Sequence, residues 1–242
     1  MELRRIRTQD GSLTYFNPRI GEHYHSIRGA LQESRHVFLD TGTRFFMENH
    51  PECKNLDILE VGFGTGLNFL LTADYCKETK LLLNYCGIEK YPLNQTQISQ
   101  MEYASYLQHP EIADALYRQY TTCIQATQQI HSGINLEIRA CDVREFTTRS
   151  LYDLIYFDAF AVAYQPEMWE KETLERVCQY LRPGGVLVTY AITGNLKRNL
   201  KALGFTIEKR PGAPGKREML RAIRLASPSS LQNAHSSPAD LR

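Results

Sequence analysis

The sequence predicts an α/β fold with a mostly parallel sheet wound on both faces, and three observations predict it. From Leu56 onward, short apolar runs alternate with helix-length stretches, the pattern of successive β-α-β units. A glycine-rich turn, Gly62-Phe63-Gly64-Thr65-Gly66, directly follows the first of those runs. The last two runs flank Pro-Gly-Ala-Pro-Gly-Lys, which suits a terminal hairpin and an antiparallel sheet edge. Taken in order, residues 1–50 are rich in Arg, Tyr, Phe and His, with short and poorly periodic elements. They read as an N-terminal extension packed over the sheet edge. Strands are expected at 57–61, 82–88, 134–139, 152–157 and 185–191, with helices near 66–76, 93–107, 111–131, 167–181 and 195–203. Arg182-Pro183-Gly184-Gly185 is expected to stop the fourth helix, because proline cannot continue it. Strands at 205–210 and 218–224 would form the hairpin and complete one domain over 51–225. Residues 226–242 carry Ser-Pro-Ser-Ser and Ser-Ser-Pro with little apolar content, and a disordered tail is expected there.

Composition narrows the classes. At 242 residues, 43% hydrophobic and 23% charged, the chain can bury a sizeable core. No run approaches the ~18 apolar residues that span a membrane, and the N-terminal Met-Glu-Leu-Arg-Arg-Ile-Arg precedes no apolar stretch. A soluble, cytoplasmic protein without membrane partners is expected. Six cysteines are scattered without a C-x-x-C pair and read as reduced thiols, not as metal ligands. His23-Tyr24-His25 is likewise a poor metal site, and no metal is expected. Net charge is +1, but Lys197 to Arg224 carries +7 against −6 for the remainder. That concentration, including Lys209, Arg210, Lys216 and Arg217, suits a polyanion with steep salt dependence.

The glycine turn can present bare backbone to a ligand, and Glu89 ends the next strand where a carboxylate could accept ribose hydroxyls. A pyrophosphate at the following helix N-terminus would be repelled by nearby acids, and Glu60 stands at the turn's entrance. An acid there suits a cationic ligand such as S-adenosylmethionine, with its ammonium and sulfonium. Asp142, after the run Ile134 to Ile138, adds a third strand-end acid able to accept from an adenine amino group. The strand Tyr152 to Phe157 ends in Asp158, beside the turn, because ligands in such sheets sit outside the carboxyl ends of the strands. The loop that follows carries Phe160, Tyr164 and the sole tryptophan, Trp169, which could stack a planar group or pack in the core.

A helix-stop Pro-Gly-Gly, a strand and a closing hairpin resemble the class I, Rossmann-like S-adenosylmethionine-dependent methyltransferases. A narrower resemblance rests on Asn17-Pro18-Arg19, His23-Tyr24-His25-Ser26, Gly29-Ala30-Leu31-Gln32-Glu33-Ser34, Glu60 to Phe69, Asp158-Ala159-Phe160-Ala161, Pro166 to Trp169 and Lys216-Arg217-Glu218-Met219. Over residues 12–224 the chain is similar to the methyltransferases that complete 5-methylaminomethyl-2-thiouridine at the tRNA wobble position. This resemblance implies that Gly62, Gly64, Gly66 and Glu89 hold S-adenosylmethionine, with Glu60 and Asn68 beside it, Asp142 near its adenine and Asp158 near the transferred methyl. Tyr24 and Ser26 would lid the cofactor or touch the substrate. Phe160, Tyr164 and Trp169 would flank a wobble base drawn out of the anticodon stack, and Lys209, Arg210, Lys216 and Arg217 would contact tRNA phosphates. Val162 departs from the family's usual proline and leaves that loop less rigid. Many relatives continue into a flavin-dependent oxidase domain; this chain is expected to perform methyl transfer alone, with a separate enzyme supplying the aminomethyl-uridine. Two other readings stay open: a methyltransferase of a small-molecule amine, and an RNA-binding module with a vestigial cofactor loop.

Overall fold

In the computed structural model, which describes residues 2–226, the N-terminal segment is more ordered than its sequence suggests. Strands β1 (Arg4–Arg7), β2 (Leu13–Asn17) and β3 (Glu22–His23) form a small antiparallel sheet. Helix α1 (Ala30–Ser34) then runs through a wide π-helical stretch, Arg35–Arg44, into α2 (Phe45–Asn49) without leaving right-handed helical angles at either junction. That run was expected to lie over the sheet edge. It covers a sheet face instead: Val37, Phe38 and Phe46 are buried, and Gly42 lies against Tyr156 and Val188.

The main unit follows as β4 (Asn55–Val61), α3 (Leu67–Thr79), β5 (Leu82–Ile88), α4 (Gln95–Ser99), α5 (Pro110–Gln125), β6 (Gln128–His131), β7 (Ile134–Arg139), β8 (Tyr152–Phe157), α6 (Lys171–Cys178), β9 (Leu181–Thr189), α7 (Gly194–Ala202), β10 (Phe205–Pro211) and β11 (Glu218–Arg224). The eight strands order as β10-β11-β9-β8-β4-β5-β7-β6. The core β9-β8-β4-β5-β7 is parallel, while β11 runs antiparallel to β9 and pairs with β10 as the expected hairpin. This is the doubly wound, mostly parallel sheet with a terminal antiparallel hairpin that the sequence predicts.

Three helix boundaries differ. The helix expected over 93–107 breaks after Ser99, where Glu102 turns left-handed at φ 55°, and resumes as a short 3-10 turn over Tyr103–Tyr106. The helix expected over 111–131 stops at Gln125, because Ser132-Gly133 closes a two-residue hairpin that pairs β6 with β7. The one expected over 167–181 opens as a 3-10 turn at Pro166–Trp169 and ends at Cys178. Arg182-Pro183-Gly184-Gly185 does not stop that helix. It forms the irregular start of β9, where the register with β8 shifts and Arg182 bridges Asp57 (2.7 Å) and Asp153 (2.6 Å). The tail expected over 226–242 lies, beyond residue 226, outside the described residues. No helix among the described residues is long and apolar enough to cross a membrane.

Chain order reverses between β4 and β8. The strands after β4 add on one side, through β5 and β7, and the later strands on the other. A ligand crevice belongs at that switch point, outside the carboxyl ends of the two strands.

Candidate active site

The cavity at the switch point has a volume of about 690 Å³, and its floor is the backbone leaving β4. Gly62 has φ 89°, which only glycine adopts without strain. A Cβ there would land on the Asp158 carbonyl oxygen and 3.0 Å from its carbon. The turn is anchored from below by Gly62 N–H and Phe63 N–H, which both donate to the Ile88 carbonyl (2.9 and 3.1 Å), so β5 fixes the height of the loop. Gly64 lies under the Tyr24 ring, where an added Cβ would sit 3.0 Å from the nearest ring carbon. Glu89, at the end of β5, accepts from Gly64 N–H (3.1 Å) and Tyr91 N–H (3.0 Å), and burial pushes its carboxyl above the usual range. Tyr24, Ser26, Glu89, Asp142 and Asp158 all line this one cavity.

Asp158 follows the last residue of β8, held by its N–H donating to the Val61 carbonyl at 2.9 Å. Its pKa is pushed up to about 8, first by burial and then by the nearby Glu33 charge, with Glu22 adding to the rise. Asn68 and Lys216 oppose that rise, the former by donating to Asp158 Oδ2 at 2.8 Å. Glu22 also lines the cavity and accepts from Ala161 N–H at 2.8 Å, which ties β3 to the loop after Asp158. Glu33 is buried, accepting from Ser26 N–H (3.0 Å) and from Lys216 Nζ (2.9 Å). Three carboxyl groups therefore converge on one end of the cavity, with Lys216 compensating Glu33, a setting that favours a cationic group such as an alkylammonium.

Several expected roles are corrected by this geometry. Glu60 does not face the cavity: strand alternation points it with Ile58 toward α3, where it is fully buried. It accepts from Asn68 Nδ2 and Tyr85 Oη at 2.8 Å each, and burial raises its pKa well above normal. Asn68 is likewise beneath the cavity floor, its amide bridging Glu60 and Asp158, and Gly66 is the left-handed cap of α3. Both act on the site through what they hold. Trp169 is buried, edge-on to Phe157 and Tyr190, with Nε1 donating to the Phe160 carbonyl at 2.8 Å, so it anchors the loop and offers no free face to a base. Phe160 lines the cavity against Tyr24, whereas Tyr164 is exposed beside Gly21 and outside the lining.

The basic segment does not form one face. Arg221 is buried, pairing with Glu208 at 2.6 Å and stacking over Phe45, and Arg224 binds backbone carbonyls of Cys178 and Gln179. Lys216 turns inward to Glu33 instead of outward to phosphate. Lys209, Arg210 and Arg217 remain exposed, Lys209 with Glu218 at 3.4 Å.

Residues 107–225 match the family model described as S-adenosyl-L-methionine-dependent methyltransferase. The chain belongs to the S-adenosyl-L-methionine-dependent methyltransferases. The methyltransferase is 33% identical over 220 residues to the tRNA 5-methylaminomethyl-2-thiouridine biosynthesis bifunctional protein MnmC of Leptospira borgpetersenii, covering 86% of this chain and 33% of that protein. It is 32% identical over 229 residues to MnmC of Pseudomonas savastanoi, covering 89% of this chain and 34% of the relative. The chain thus spans about a third of the length of these curated relatives. A crystal structure of MNMC2 from Aquifex aeolicus superposes with a TM-score of 0.76 at 25% identity, covering 94% of this chain and 71% of that one.

The residues of this methyltransferase fit the cofactor of its family. Gly62 and Gly64 present bare backbone to the cavity where a side chain would strike Asp158 or Tyr24, and the adjoining Glu89 carboxylate would accept the cofactor's ribose hydroxyls. Asp142 fits with a condition. Its Oδ1 accepts from Arg144 N–H and Nε (2.9 Å each) and its Oδ2 from Arg144 Nη2 (2.6 Å) and Lys90 (3.0 Å). Those bonds, Arg144 foremost, hold its carboxyl well below the usual range. With all four lone-pair sites engaged, one cation must move before an adenine amino group can donate there. Sequence reasoning missed Glu22, Glu33 and Tyr190 as cavity residues of the methyltransferase. Glu33 stood inside the Gly-Ala-x-x-Glu-Ser run, but no spacing rule brings residues that far upstream to the end of β8.

Proposed function

We propose that this chain transfers a methyl group from S-adenosylmethionine to the primary amine of 5-aminomethyl-2-thiouridine at the tRNA wobble position. What carries the reading is Asp158, raised to about 8 at the switch point, on a cavity wall that it shares with Glu22 and Glu33. The names of the MnmC relatives, which describe biosynthesis of the methylaminomethyl nucleoside, support the choice of acceptor. The bound cofactor supplies an electrophilic methyl on a sulfonium. The protein's part is to deliver an amine with a free lone pair. An alkylammonium near 10.4 and an ordinary carboxylate near 3.9 are ~6.5 units apart, so proton transfer between them costs roughly 9 kcal/mol. With Asp158 at about 8 the gap shrinks to ~2.4 units, or roughly 3 kcal/mol. Asp158 is the proton acceptor, Asn68 fixes the carboxylate's orientation, and Tyr24 covers the glycine turn and excludes water.

Nucleoside mass spectrometry of hypomodified tRNA incubated with the full chain and labelled S-adenosylmethionine tests this. Label in methylaminomethyl-thiouridine is the expected result; label only in another nucleoside, or none, overturns it. Lys209, Arg210 and Arg217 are proposed to touch tRNA phosphates. Replacing all three with Gln should flatten the dependence of log affinity on log salt by about 2, at roughly 0.7 for each phosphate of single-stranded RNA no longer neutralised. Cofactor affinity, measured by calorimetry, should stay unchanged.

A further inference from the structure

Lys216 reaches into the cavity beside Asp158 and sits close over an aromatic ring. Its Nζ lies 3.6 Å from the centroid of the Tyr190 ring and 2.9 Å from Glu33 Oε2, inside the cavity that also contains Asp158 and Glu22. An ammonium over an aromatic face with a carboxylate at its side is the arrangement by which proteins recognise alkylammonium ligands. The two halves of the pair differ in fixity. The Glu33 side chain is 8% exposed and held by Ser26 N–H, whereas the Lys216 side chain is 36% exposed. Tyr190 is fixed as well, its hydroxyl donating to the Ala159 carbonyl at 2.8 Å. Lys216 comes from the loop joining β10 and β11, where Gly215 is left-handed at φ 91°, and it reaches in on a flexible four-carbon stem. The cage is held on both sides, and its occupant is more exposed than the Glu33 it pairs with.

We propose that Tyr190 and Glu33 form an alkylammonium subsite in which the Lys216 ammonium holds, at rest, the seat taken by the substrate's amine. The proposal rests on the functional reading above and deepens it by assigning the seat. A primary ammonium entering beside Asp158 displaces Lys216 toward solvent, keeps the Glu33 charge compensated, and passes its proton to the Asp158 carboxylate. The return of Lys216 then competes with the product ammonium for the same place. Lys216 is on this account a competitor for the site, the opposite of a phosphate-binding residue.

Chemical rescue tests it without requiring turnover. Lys216→Ala opens the seat and leaves Glu33 unpaired, so its melting temperature should fall. Methylammonium chloride should restore it, with half-saturation at least tenfold below that of the wild type, and sodium chloride at equal ionic strength should not. Lys216→Ala combined with Glu33→Gln should lose the response. A rescue that sodium matches, or that survives the loss of Glu33, overturns the proposal. In turnover with tRNA, Lys216→Ala should lower KM; a raised KM would restore Lys216 to the phosphate-contact role and overturn the seat. Failure of the wild type to methylate tRNA would sink the acceptor assignment alone, because methylammonium binding is read independently.

Discussion

Asp158→Asn is expected to lower kcat by about 10²- to 10⁴-fold, the range associated with loss of a positioned general base, while changing cofactor affinity by no more than a few-fold. Asparagine can still accept the Asn68 hydrogen bond, now 2.8 Å to Oδ2, so the cradle beside it should keep its shape. In the wild type, log kcat/KM should climb with unit slope up to about pH 8, where Asp158 becomes the carboxylate that accepts the proton. It should turn down above ~10, where an alkylamine no longer arrives as the cation the wall attracts. The same group has a stability signature of definite sign. Its folded pKa is raised, so between about 4 and 8 the folded protein keeps a proton that the unfolded chain releases, and stability falls as pH rises through that window. Asp158→Asn has no such proton to lose. Its melting temperature should therefore match the wild type near pH 4 and exceed it increasingly toward pH 8. Rapid kinetics across pH and thermal melts on both proteins check the two halves separately. Turnover that survives the substitution removes Asp158 from the chemistry, whatever the melts show.

How much of this could be read from the chain depends on where each residue gets its partners. Glu89 and Asp158 were legible because each ends a strand, and in a doubly wound sheet strand ends deliver side chains to one edge. Glu60 was misread for a reason also contained in its strand. β4 is buried on both faces, so Leu56 and Ile58 are as apolar as Leu59 and Val61, and the alternation that turns Glu60 toward α3 leaves no trace in hydropathy. The basic segment misled by counting along the chain what the hairpin distributes in space. Arg221 pairs across β11 with Glu208 of β10 and packs inward, and Lys216 reaches the cavity from the loop between them. Glu22 and Glu33 were invisible as site residues because their position is set by long-range packing. β3 is tied to the loop after β8 through Ala161, and α1 leads into the helical run that covers β8 and β9. A turn such as Ser132-Gly133, by contrast, is a local signal, and weighing it against the helical pattern would have ended α5 correctly.

Gly62→Ala should show how tightly the cofactor cradle and the reacting carboxylate are coupled. Two costs add at this position. A left-handed non-glycine residue costs ~1–2 kcal/mol, and the new methyl meets the Asp158 carbonyl, where forced overpacking typically costs ~1–3 kcal/mol. The expected loss of stability is therefore about 2–5 kcal/mol. Relief requires the two strand ends to part, because Gly62 N–H is bonded to Ile88 on one side and Asp158 N–H to Val61 on the other. Parting them moves the floor of the cavity and the carboxylate together, so S-adenosylmethionine affinity and kcat should both fall, each by more than tenfold. Gly184→Ala is the control, since Gly184 has φ 80° but nothing within 4 Å of an added Cβ, and its cost is the conformational part alone. It should lose ~1–2 kcal/mol and leave cofactor binding intact. Denaturant melts and calorimetry on the two variants read both quantities. If Gly62→Ala binds the cofactor as Gly184→Ala does, the close approach of the two strand ends is not what shapes the cradle.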